Sequence, residues 1–216
     1  MPNKERGLSR TAHHLAMALR PISAEKRVLR ILGDYGGRVA VTTSFGPTSA
    51  VLLHMAAAIS PGIKVINLRH GYETDETLKF AEECRKHFDI DLRIYDAPKL
   101  PIPKWGTTDF EEYCRLTKIE PMRMAFATEE ITIWLSGLIH DETMERRRMQ
   151  MARLRLGAIA VYPILDWIAE DAIKYCRDFH LGINTNYFDP CKGPDQKLEC
   201  GLHLTTEHQA RSTREA

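Results

Sequence analysis

The sequence predicts an α/β protein with a mostly parallel, twisted sheet that helices cover on both faces. Two observations support this fold class. Short β-branched runs alternate with helical segments of about a dozen residues, and the runs are apolar at consecutive positions, as is typical of strands buried on both faces. A chain of 216 residues, 44% of them apolar, is long enough for one such domain with a sizeable core.

The first half of the chain repeats a strand followed by a helix. Helices are predicted over 24–35, 48–59 and 74–88, and each is followed by a predicted strand, over 38–43, 63–68 and 91–95. Pairs that contain glycine or proline follow the first two helices and end them. Thr74 is a suitable N-cap for the third helix, and Asp75 and Glu76 suit the positive end of its dipole.

The second half of the chain is less regular. Strands are predicted over 131–135 and 158–162, and a helix over 168–179. The charged segment 141–155 between the two strands is predicted to be an exposed helix or loop.

These elements divide the chain into three parts. Residues 1–22 form a loosely docked N-terminal arm, 23–182 form the α/β domain that would bind a nucleotide, and 183–216 form a mobile C-terminal tail. The tail is polar and rich in Asn, Asp, Pro and Gly, which favours loops.

The composition excludes several classes of protein. The net charge of +1 argues against general attraction to nucleic acid or an anionic membrane, and no apolar run approaches the roughly 18–20 residues that a membrane span needs. The N-terminal segment lacks the pattern of a secretory signal. Five cysteines without regular spacing do not form a disulfide framework, so the reduced cytoplasm is the expected compartment. No C-x-x-C motif occurs, and no metal site is expected.

The loop Ser44–Ser49 has the position and composition of a phosphate site, between a predicted strand and a predicted helix. Gly46 has no Cβ and lets the backbone approach a phosphate, while Ser44, Thr48 and Ser49 offer hydroxyl donors. The free N–H groups at a helix start favour an anion, at the edge of the sheet where such proteins bind ligands. The alternative is an ordinary strand-to-helix turn.

One cysteine differs from the apolar ones. Cys84 and Cys176 share helical faces with apolar residues and are predicted to pack in the core. Cys200 lies on the polar tail with His203 three residues on. A nearby imidazole lowers the pKa of a thiol from roughly 8.5 and so favours the nucleophilic thiolate. The alternative is a surface thiol without a chemical role.

Six segments occur in the order in which a known enzyme family carries its motifs. SFGPTSAVLLH (Ser44–His54) resembles a phosphate loop and helix, and LECGLH (Leu198–His203) resembles a terminal E-C-G-L-H, the most diagnostic element. Between them lie HGYETDET (His70–Thr77), KIEPMRMAF (Lys118–Phe126), WLSGL with Arg146, and YPILDW (Tyr162–Trp167). With these motifs the chain resembles the sulfonucleotide reductases, the PAPS/APS reductase family, over about residues 38–204.

The resemblance implies an adenine nucleotide alpha hydrolase-like fold and a reductase. In that family the tail cysteine attacks the sulfate sulfur of an adenylyl sulfate to form an S-sulfocysteine, and the thiols of thioredoxin or glutaredoxin then release sulfite. Cys200 matches the nucleophile and His203 its catalytic partner. Family members are often dimers, so a homodimer is expected.

The resemblance also implies which residues contact the substrate. Cationic side chains must neutralise a polyanion, and Lys118, Arg123 and Arg146 are the candidates by position. For each of them the alternative is a solvated surface charge. The implied substrate-binding set is Ser44, Phe45, Gly46, Thr48, Ser49, Gly71, Lys118, Arg123, Gly137 and Arg146.

The chain departs from the cluster-bearing APS reductases at both of their cysteine pairs. Tyr113-Cys114 and the segment that ends in Cys191 keep only the second cysteine of each pair. Two ligands cannot hold a 4Fe–4S cluster in the family manner, so no iron–sulfur cluster and no bound cofactor are expected. Cluster-free members mostly use the 3′-phosphorylated substrate, which favours PAPS over APS.

Other departures concern charge and spacing. Arg69-His70 stands where the family has Asp-Thr, and 139–143 lacks the family's arginine and glutamine. Our hypothesis is that Arg69 and His70 replace the lost contacts. The stretch before Cys200 is shorter than is usual in the family.

The predicted function is thioredoxin-dependent reduction of PAPS to sulfite in sulfate assimilation. Three alternatives stay open. The first is an APS reductase without a cluster. The second is a redox-inactive enzyme of the same fold that adenylates or releases pyrophosphate from ATP. The third is a non-catalytic nucleotide-binding module in which Cys200 is a relic.

Overall fold

A computed structural model describes residues 2–140, 143, 146–193, 196 and 202. Within that part of the chain, one sheet contains six strands: β1 (Val39–Thr43), β2 (Ile63–Arg69), β3 (Ile90–Asp96), β4 (Ile133–Ser136), β5 (Ala152–Arg155) and β6 (Ala158–Val161). The order is β3-β2-β1-β4-β6-β5, and all neighbours are parallel except the edge pair β5–β6. The predicted α/β class with a mostly parallel sheet is confirmed.

The helices of the described residues are α1 (Pro2–Leu19), α2 (Ala24–Tyr35), α3 (Ser49–Ile59), α4 (Asp75–His87), α5 (Thr108–Cys114), α6 (Glu120–Thr128) and α7 (Ala169–Asp178). A π-helical turn, Arg115–Ile119, joins α5 to α6. Short 3₁₀ turns occupy Gly36–Arg38, Arg146–Arg148 and Pro190–Lys192. None of the helices described here has the length and apolar character that crossing a bilayer requires.

Helices cover both faces of the sheet, as alternate residues of the strands indicate. In β1, Val39 and Val41 lie in a core with residues of α1, α2, α3, α4 and α7, whereas Ala40 lies in a second core with residues of α5 and α6. Trp134 of β4 is fully buried in the second core. Burial on both faces explains why these strands are continuous apolar runs.

The order of the strands reverses at β1. The chain runs outward from β1 through β2 to β3, and β4 then returns to the other side of β1. The helices that follow β1 and β3 cover opposite faces of the sheet, α3 in the first core and α5 and α6 in the second. A crevice is expected at such a reversal, beyond the carboxyl ends of β1 and β4.

Three segments differ from expectation. The arm expected over 1–22 contains α1, which lies against β5 and β6 and buries Ala12, Leu15, Ala16 and Leu19. Four apolar residues at helical spacing are a short signal in a polar segment, but they suffice to cover a sheet edge. The segment 141–155, expected to be an exposed helix or loop, ends in β5. Helices α5 and α6 lie where the sequence pattern predicts no element.

The N-cap predicted at Thr74 is confirmed. Its Oγ1 accepts a hydrogen bond from the Thr77 N–H at 3.1 Å and donates to the carbonyl of Asn186, which ties α4 to the C-terminal segment. We expect Thr74→Ala to lower the free energy of unfolding by about 1–2 kcal/mol in urea denaturation. Thr74→Ser keeps the hydroxyl and is expected to stay within about 0.5 kcal/mol of the wild type. Equal losses for the two variants would contradict the capping role.

Candidate active site

A cavity of about 420 Å³ lies at the carboxyl ends of β1 and β4. Thr43 and Ser136, the last residues of these strands, line it together with the loop that follows β1. Residues from much later in the chain complete the wall, among them Lys118, Arg146, Tyr187, Asp189 and Leu202. Open parallel sheets bind ligands at such a reversal of strand order. This cavity is therefore the candidate active site.

The loop after β1 turns at Phe45 and not at Gly46. Phe45 has a φ of 52°, a left-handed conformation that costs a non-glycine residue about 1–2 kcal/mol. Burial of its ring in the core, where it is 1% exposed, offsets that cost. Its N–H donates to Thr43 Oγ1 at 2.9 Å, and its carbonyl accepts from Asn184 Nδ2 at 2.8 Å. Phe45 thus supports the loop from the core side, whereas Gly46 lines the cavity.

Three hydroxyl side chains of the loop line the cavity, namely those of Ser44, Thr48 and Ser49. Ser44 Oγ lies within hydrogen-bond distance of the Tyr187 hydroxyl, at 3.0 Å, and Ser49 Oγ donates to the Gly46 carbonyl at 2.8 Å. Thr48 stands at the N-cap of α3 without a side-chain capping bond. The start of α3 therefore borders the cavity without a side-chain cap. The N–H groups of Ser49 and Val51 donate to the carbonyls of Gly46 and Thr48 at 3.1 and 3.2 Å, and the positive end of the helix dipole favours an anion there.

Lys118 and Asp189 form an ion pair in the cavity wall, with side chains 10% and 2% exposed. Asp189 Oδ1 also accepts from the Cys191 N–H at 2.9 Å, and the Tyr187 hydroxyl donates to Oδ2 at 3.2 Å. Burial opposes ionisation of Asp189, but Lys118 and the Cys191 N–H outweigh it and hold the pKa of the carboxyl below its ordinary value. Lys118 therefore lines the site together with a carboxylate partner, a pairing that the sequence pattern did not indicate.

Arg146 lines the cavity at the start of the 3₁₀ turn and is 3% exposed. Its backbone N–H donates to Thr143 Oγ1 at 3.3 Å. Arg147 and Arg148 in the same turn are exposed. The turn thus buries one arginine of three at the cavity, opposite to the exposure expected for this charged segment. Gly137, directly after β4, also lines the cavity.

Three predicted substrate-binding residues do not line the cavity: Phe45, which lies in the core, Arg123 and Gly71. Arg123 on α6 is exposed, and its guanidinium lies 3.2 Å from Glu120. Gly71 has a φ of 79° and lies against the side chain of Lys99, where a Cβ would be only 3.0 Å from Lys99 Cδ. Its backbone conformation is the reason for glycine at this position. The preceding residue, His70, lines the cavity instead.

The predicted catalytic residues Cys200 and His203 lie outside the described residues. Leu202 is described and is 8% exposed, packs in the second core and lines the cavity. Its carbonyl accepts a hydrogen bond from Arg155 Nε at 3.1 Å. The chain therefore reaches the cavity wall within the E-C-G-L-H segment.

The hypothesis that Arg69 and His70 both replace lost contacts holds at most for His70. Arg69 pairs with Asp96 through Nε at 2.7 Å and does not line the cavity. His70 is 8% exposed, and its Nδ1 lies 3.4 Å from Glu73 Oε1. Burial lowers the pKa of the imidazole, and the Glu73 carboxylate opposes this effect only in part. His70 is therefore a neutral wall residue at neutral pH.

The lowered pKa makes the contribution of His70 to stability depend on pH. In the unfolded chain, His70 takes up a proton as the pH falls through the ordinary imidazole pKa of about 6.5, whereas folded His70 resists protonation. The contribution of His70 to the free energy of unfolding is therefore present above that pH and is lost as the pH falls. We expect the unfolding free energy of the wild type, relative to His70→Gln, to rise between about pH 5 and 7. Urea denaturation across this range measures it, with exposed His13→Gln as the control. A constant difference would contradict the assignment.

The other cysteines are all buried. Cys84 and Cys176 lie in the first core, as predicted, and burial raises the pKa of Cys84 to about 12. Cys114 and Cys191 lie in the second core, where the Thr117 hydroxyl lies 3.8 Å from the Cys191 sulfur. No group of three or more histidine, cysteine or carboxylate side chains suited to a metal ion occurs in the part of the chain that the structure describes.

The sequence pattern missed several residues of the cavity wall. They come from one irregular segment that follows α7, and they are Thr185, Tyr187, Asp189, Lys192 and Gln196. No helix or strand periodicity marks them. Their closeness in sequence to LECGLH is the signal that could have indicated a role at the site.

Similar proteins were found by sequence and by structure. The family model described as the phosphoadenosine phosphosulfate reductase domain matches residues 38–192. A phosphoadenosine 5′-phosphosulfate reductase from Synechococcus sp. is 30% identical over 203 residues, which cover 79% of this chain and 88% of that protein. The match to the family model thus includes most of the chain, from β1 to the 3₁₀ turn Pro190–Lys192.

Two solved structures share the fold. The phosphoadenylyl-sulfate reductase from Candida auris, in a phosphate complex, has a TM-score of 0.68 at 19% identity and covers 82% of this chain and 93% of its own. The FMN adenylyltransferase from Candida glabrata, with FMN and an ATP analogue, has a TM-score of 0.53 at 12% identity and covers 78% and 63%. The expected adenine nucleotide alpha hydrolase-like fold is thereby confirmed. Because the family model matches residues 38–192 and the Synechococcus reductase is 30% identical over 79% of this chain, the chain belongs to the phosphoadenosine phosphosulfate reductase family of enzymes.

Proposed function

We propose that this chain reduces 3′-phosphoadenylyl sulfate to sulfite and adenosine 3′,5′-bisphosphate, with thioredoxin or glutaredoxin as the external reductant. The observation that carries the proposal is the composition of the cavity wall. The hydroxyls and helix start of the 44–49 loop border the same space as Arg146 and as Leu202, which lies two residues from Cys200. Membership of the family and the name of the Synechococcus relative support the same substrate.

The wall suits a ligand that carries several negative charges. Arg146 is buried there, and a guanidinium in such low-dielectric surroundings interacts with an anion more strongly than it would in water. The start of α3 adds N–H donors on another side of the cavity. Asp189 offsets the charge of Lys118. We assign Arg146 to the sulfate or a phosphate of the substrate because it is buried in the wall and because the family resemblance gives its position a substrate-binding role. We assign Lys118, together with its carboxylate partner, to the shape of the wall.

The chemistry assigned to Cys200 is a nucleophilic displacement at sulfur. Its thiolate attacks the sulfate sulfur, a sulfur–sulfur bond forms, and the bond between sulfur and the bridging oxygen breaks with its electron pair on the departing nucleotide. A thiolate of the reductant then attacks Cys200 Sγ and expels sulfite. Its second thiol resolves the mixed disulfide and restores Cys200. His203 favours the thiolate form. No iron–sulfur cluster takes part.

Leu202 limits how far the nucleophile can lie from the cavity. Two residues of chain span at most about 7 Å. Because Leu202 lines the cavity, this short span supports a position of Cys200 within reach of a ligand bound there. The same anchor supports this reach, although the stretch before Cys200 is shorter than is usual in the family.

The most informative test measures the mass of the peptide that contains Cys200 after the protein has been incubated with the substrate alone. Without a reductant, the peptide that contains Cys200 is expected to gain the mass of one SO₃ group, and adenosine 3′,5′-bisphosphate is expected in equal amount. Reduced thioredoxin should then release sulfite and restore the thiol. An unmodified Cys200 together with continued sulfite release would refute the mechanism.

The alternatives give different products in the same assay. Faster sulfite release from adenylyl sulfate than from its 3′-phosphorylated form would replace the proposed substrate. AMP and pyrophosphate from ATP without sulfite would indicate the redox-inactive enzyme, and nucleotide binding without turnover would indicate a binding module. Each of these results contradicts the proposed activity.

Arg146 is expected to contribute more to kcat/KM than the adjacent Arg147 does. We expect Arg146→Ala to lower kcat/KM for 3′-phosphoadenylyl sulfate about 10²-fold, because it removes a buried cation from the wall that meets the anion. Arg147→Ala, one position away and exposed, is the matched control and is expected to stay within about twofold. Steady-state kinetics measure both, after circular dichroism has verified the folds. Equal effects of the two variants would exclude this role.

Three further proposals concern the whole molecule. We place the enzyme in the cytoplasm, where its cysteines stay reduced, and we propose a homodimer, the commonest symmetric assembly. We also propose that residues 23–182 form the nucleotide-binding domain and that the segment after it carries the nucleophile. Light scattering of the purified chain tests the dimer.

A further inference from the structure

We propose that two copies of this chain associate through the outer edge of β3, as an antiparallel pair of β3 strands, a surface that rests on the homodimer put forward above. β3 is the last strand on one side of the sheet, and among the described strands it pairs only with β2. At the opposite side of the sheet, α1 lies against the edge strand β5. An uncovered edge strand offers unpaired backbone N–H and C=O groups to another strand.

The backbone groups on the open side of β3 belong to its even-numbered residues. The carbonyl of Arg69, the last residue of β2, accepts a hydrogen bond from the Ala97 N–H at 2.8 Å, directly after β3. Successive residues of a paired strand turn their backbone groups alternately toward the neighbouring strand and away from it. The odd-numbered residues of β3 therefore bond to β2, whereas Ile90, Leu92 and Ile94 present their N–H and C=O groups on the open side.

The side chains of β3 favour one register of this pair. With Leu92 opposite the partner's Leu92, Ile90 lies opposite the partner's Ile94, and these outward residues exchange backbone hydrogen bonds. Asp91 then lies opposite the partner's Arg93, and the two-fold symmetry repeats this contact. Directly opposite unlike charges stabilise an antiparallel pair, whereas like charges destabilise it. The registers centred on Asp91 or on Arg93 each place two like charges opposite each other, so charge favours the register centred on Leu92.

Both charged side chains can reach across the edge. Arg93 and Asp91 are 49% and 40% exposed, and they contact each other at 2.8 Å within the strand. In the proposed pair, each of them gains a second partner of opposite charge. Charged side chains often protect an edge strand from pairing, but here the two signs alternate so that a second copy of the same strand is complementary.

The same register covers apolar surface on the other side of the strand. Ile90 and Leu92 pack partly against the first core, and Ile94, on the same face, is 46% exposed. Leu78 of α4, which lines a surface cavity together with Leu92 and Ile94, is 44% exposed. Directly opposite residues of an antiparallel pair share a face, so Ile94 packs against the partner's Ile90. Burial of this apolar surface stabilises the dimer.

The antiparallel arrangement leaves both candidate active sites open. None of the residues that line the cavity of about 420 Å³ belongs to β3. The carboxyl ends of the two β3 strands point in opposite directions, so the two cavities lie at opposite sides of a sheet that runs through both subunits. Each cavity stays accessible to a nucleotide and to a protein reductant.

The first experiment tests the surface with charge variants. Asp91→Arg and Arg93→Asp each place like charges opposite each other, and we expect each to raise the Kd of the dimer about 30-fold in analytical ultracentrifugation. An equimolar mixture of the two variants restores unlike charges between subunits but not within either strand. The mixture should therefore dimerise with a Kd within about threefold of the wild-type value.

Two further variants control for the change of charge itself. The double variant Asp91→Arg with Arg93→Asp restores both contacts and should dimerise as the wild type does. Asp34→Arg reverses the acid of an exposed pair on α2, 3.6 Å from Arg30, and should leave Kd unchanged. A dimer that both β3 variants leave intact, or a mixture that does not recover, would overturn this surface alone. A wild type that stays monomeric would overturn the homodimer as well.

The second experiment tests the backbone pairing by amide hydrogen exchange in NMR. The N–H groups of Leu92 and Ile94 should be protected in the wild-type dimer and exchange faster on dilution or in Asp91→Arg. The N–H of Arg93, which faces β2, should be protected in every case. Protection of Leu92 that is independent of concentration would overturn the pairing and assign the edge to another segment of the same chain.

Sulfite release separates this surface from the proposed activity. We expect the β3 variants to keep turnover within about twofold of the wild type, because β3 does not line the cavity. A wild type that dimerises as described but releases no sulfite would refute the proposed activity and leave the surface supported. Loss of turnover in the variants, with recovery in their mixture, would overturn the independence of the two cavities from the β3 edge.

Discussion

Replacement of Cys200 by serine is expected to abolish sulfite release from 3′-phosphoadenylyl sulfate. We expect turnover to fall by at least about 10⁴-fold, as occurs when an enzyme loses its nucleophile, because a serine hydroxyl is not ionised at neutral pH as a thiol near a histidine can be. Affinity for adenosine 3′,5′-bisphosphate should stay within about twofold, since the phosphate loop and Arg146 are intact. Sulfite assays and calorimetry measure the two quantities.

Cys84→Ala is the matched control for Cys200→Ser. Cys84 lies in the first core, away from the cavity lining, and burial raises the pKa of its thiol to about 12, so it supplies no thiolate. Turnover of Cys84→Ala per folded molecule should equal that of the wild type. Sulfite production that survives in Cys200→Ser, or that is lost in both variants alike, would contradict the assignment of the nucleophile.

The second large effect is expected at the Lys118–Asp189 ion pair. Lys118→Met leaves the Asp189 carboxylate buried without its cation, and we expect the free energy of unfolding at pH 7 to fall by about 3–5 kcal/mol. The pKa of Asp189 is lowered in the folded chain, so its contribution is present above the ordinary carboxyl pKa and is lost as the pH falls through the folded value. The defect of Lys118→Met should therefore shrink in acid.

A double-mutant cycle distinguishes a charge effect from lost packing. Lys118→Met with Asp189→Asn removes both charges and keeps an oxygen acceptor for the Cys191 N–H. We expect this double variant to recover more than about 2 kcal/mol of the summed losses. The exposed pair Arg93–Asp91, at 2.8 Å, is the control, and Arg93→Ala should cost less than about 1 kcal/mol. A Lys118→Met loss as small as that of Arg93→Ala would refute the structural role of the pair.

Much of the fold could be predicted because strand and helix patterns are local. The β-branched run of β1 and the apolar face of α3 each show their burial within a few residues of sequence. The reverse holds for β5, which reads Ala-Arg-Leu-Arg and owes its place to pairing with β6 at the edge of the sheet. An edge strand with a partly solvated face tolerates such charges, so its sequence resembles a loop.

The residues of the site could be predicted where one contiguous motif carries them. Charged residues were harder to predict, because their role depends on which partner each side chain contacts. Ser44, Gly46, Thr48 and Ser49 line the cavity because one loop carries them between β1 and α3. Arg123 is one turn of helix from Glu120, which it pairs with on the surface. Residue type and motif position alone do not tell such a surface pair from a cation that faces a ligand.

By itself, the sequence determined the alternation of helices and strands from α2 to β3, the phosphate-type loop and the cysteine motif of this family, because each of these is written in consecutive residues. Only the tertiary structure decided how the charges are used. It pairs Lys118 with Asp189, which lies 71 positions further along the chain, and buries Arg146 at the cavity. It also pairs Arg69 with Asp96 away from the cavity, whereas the neighbouring His70 lines the cavity wall. The physical reason is that the ionisation and reach of a charged side chain depend on burial and on partners distant in sequence, which no local pattern records.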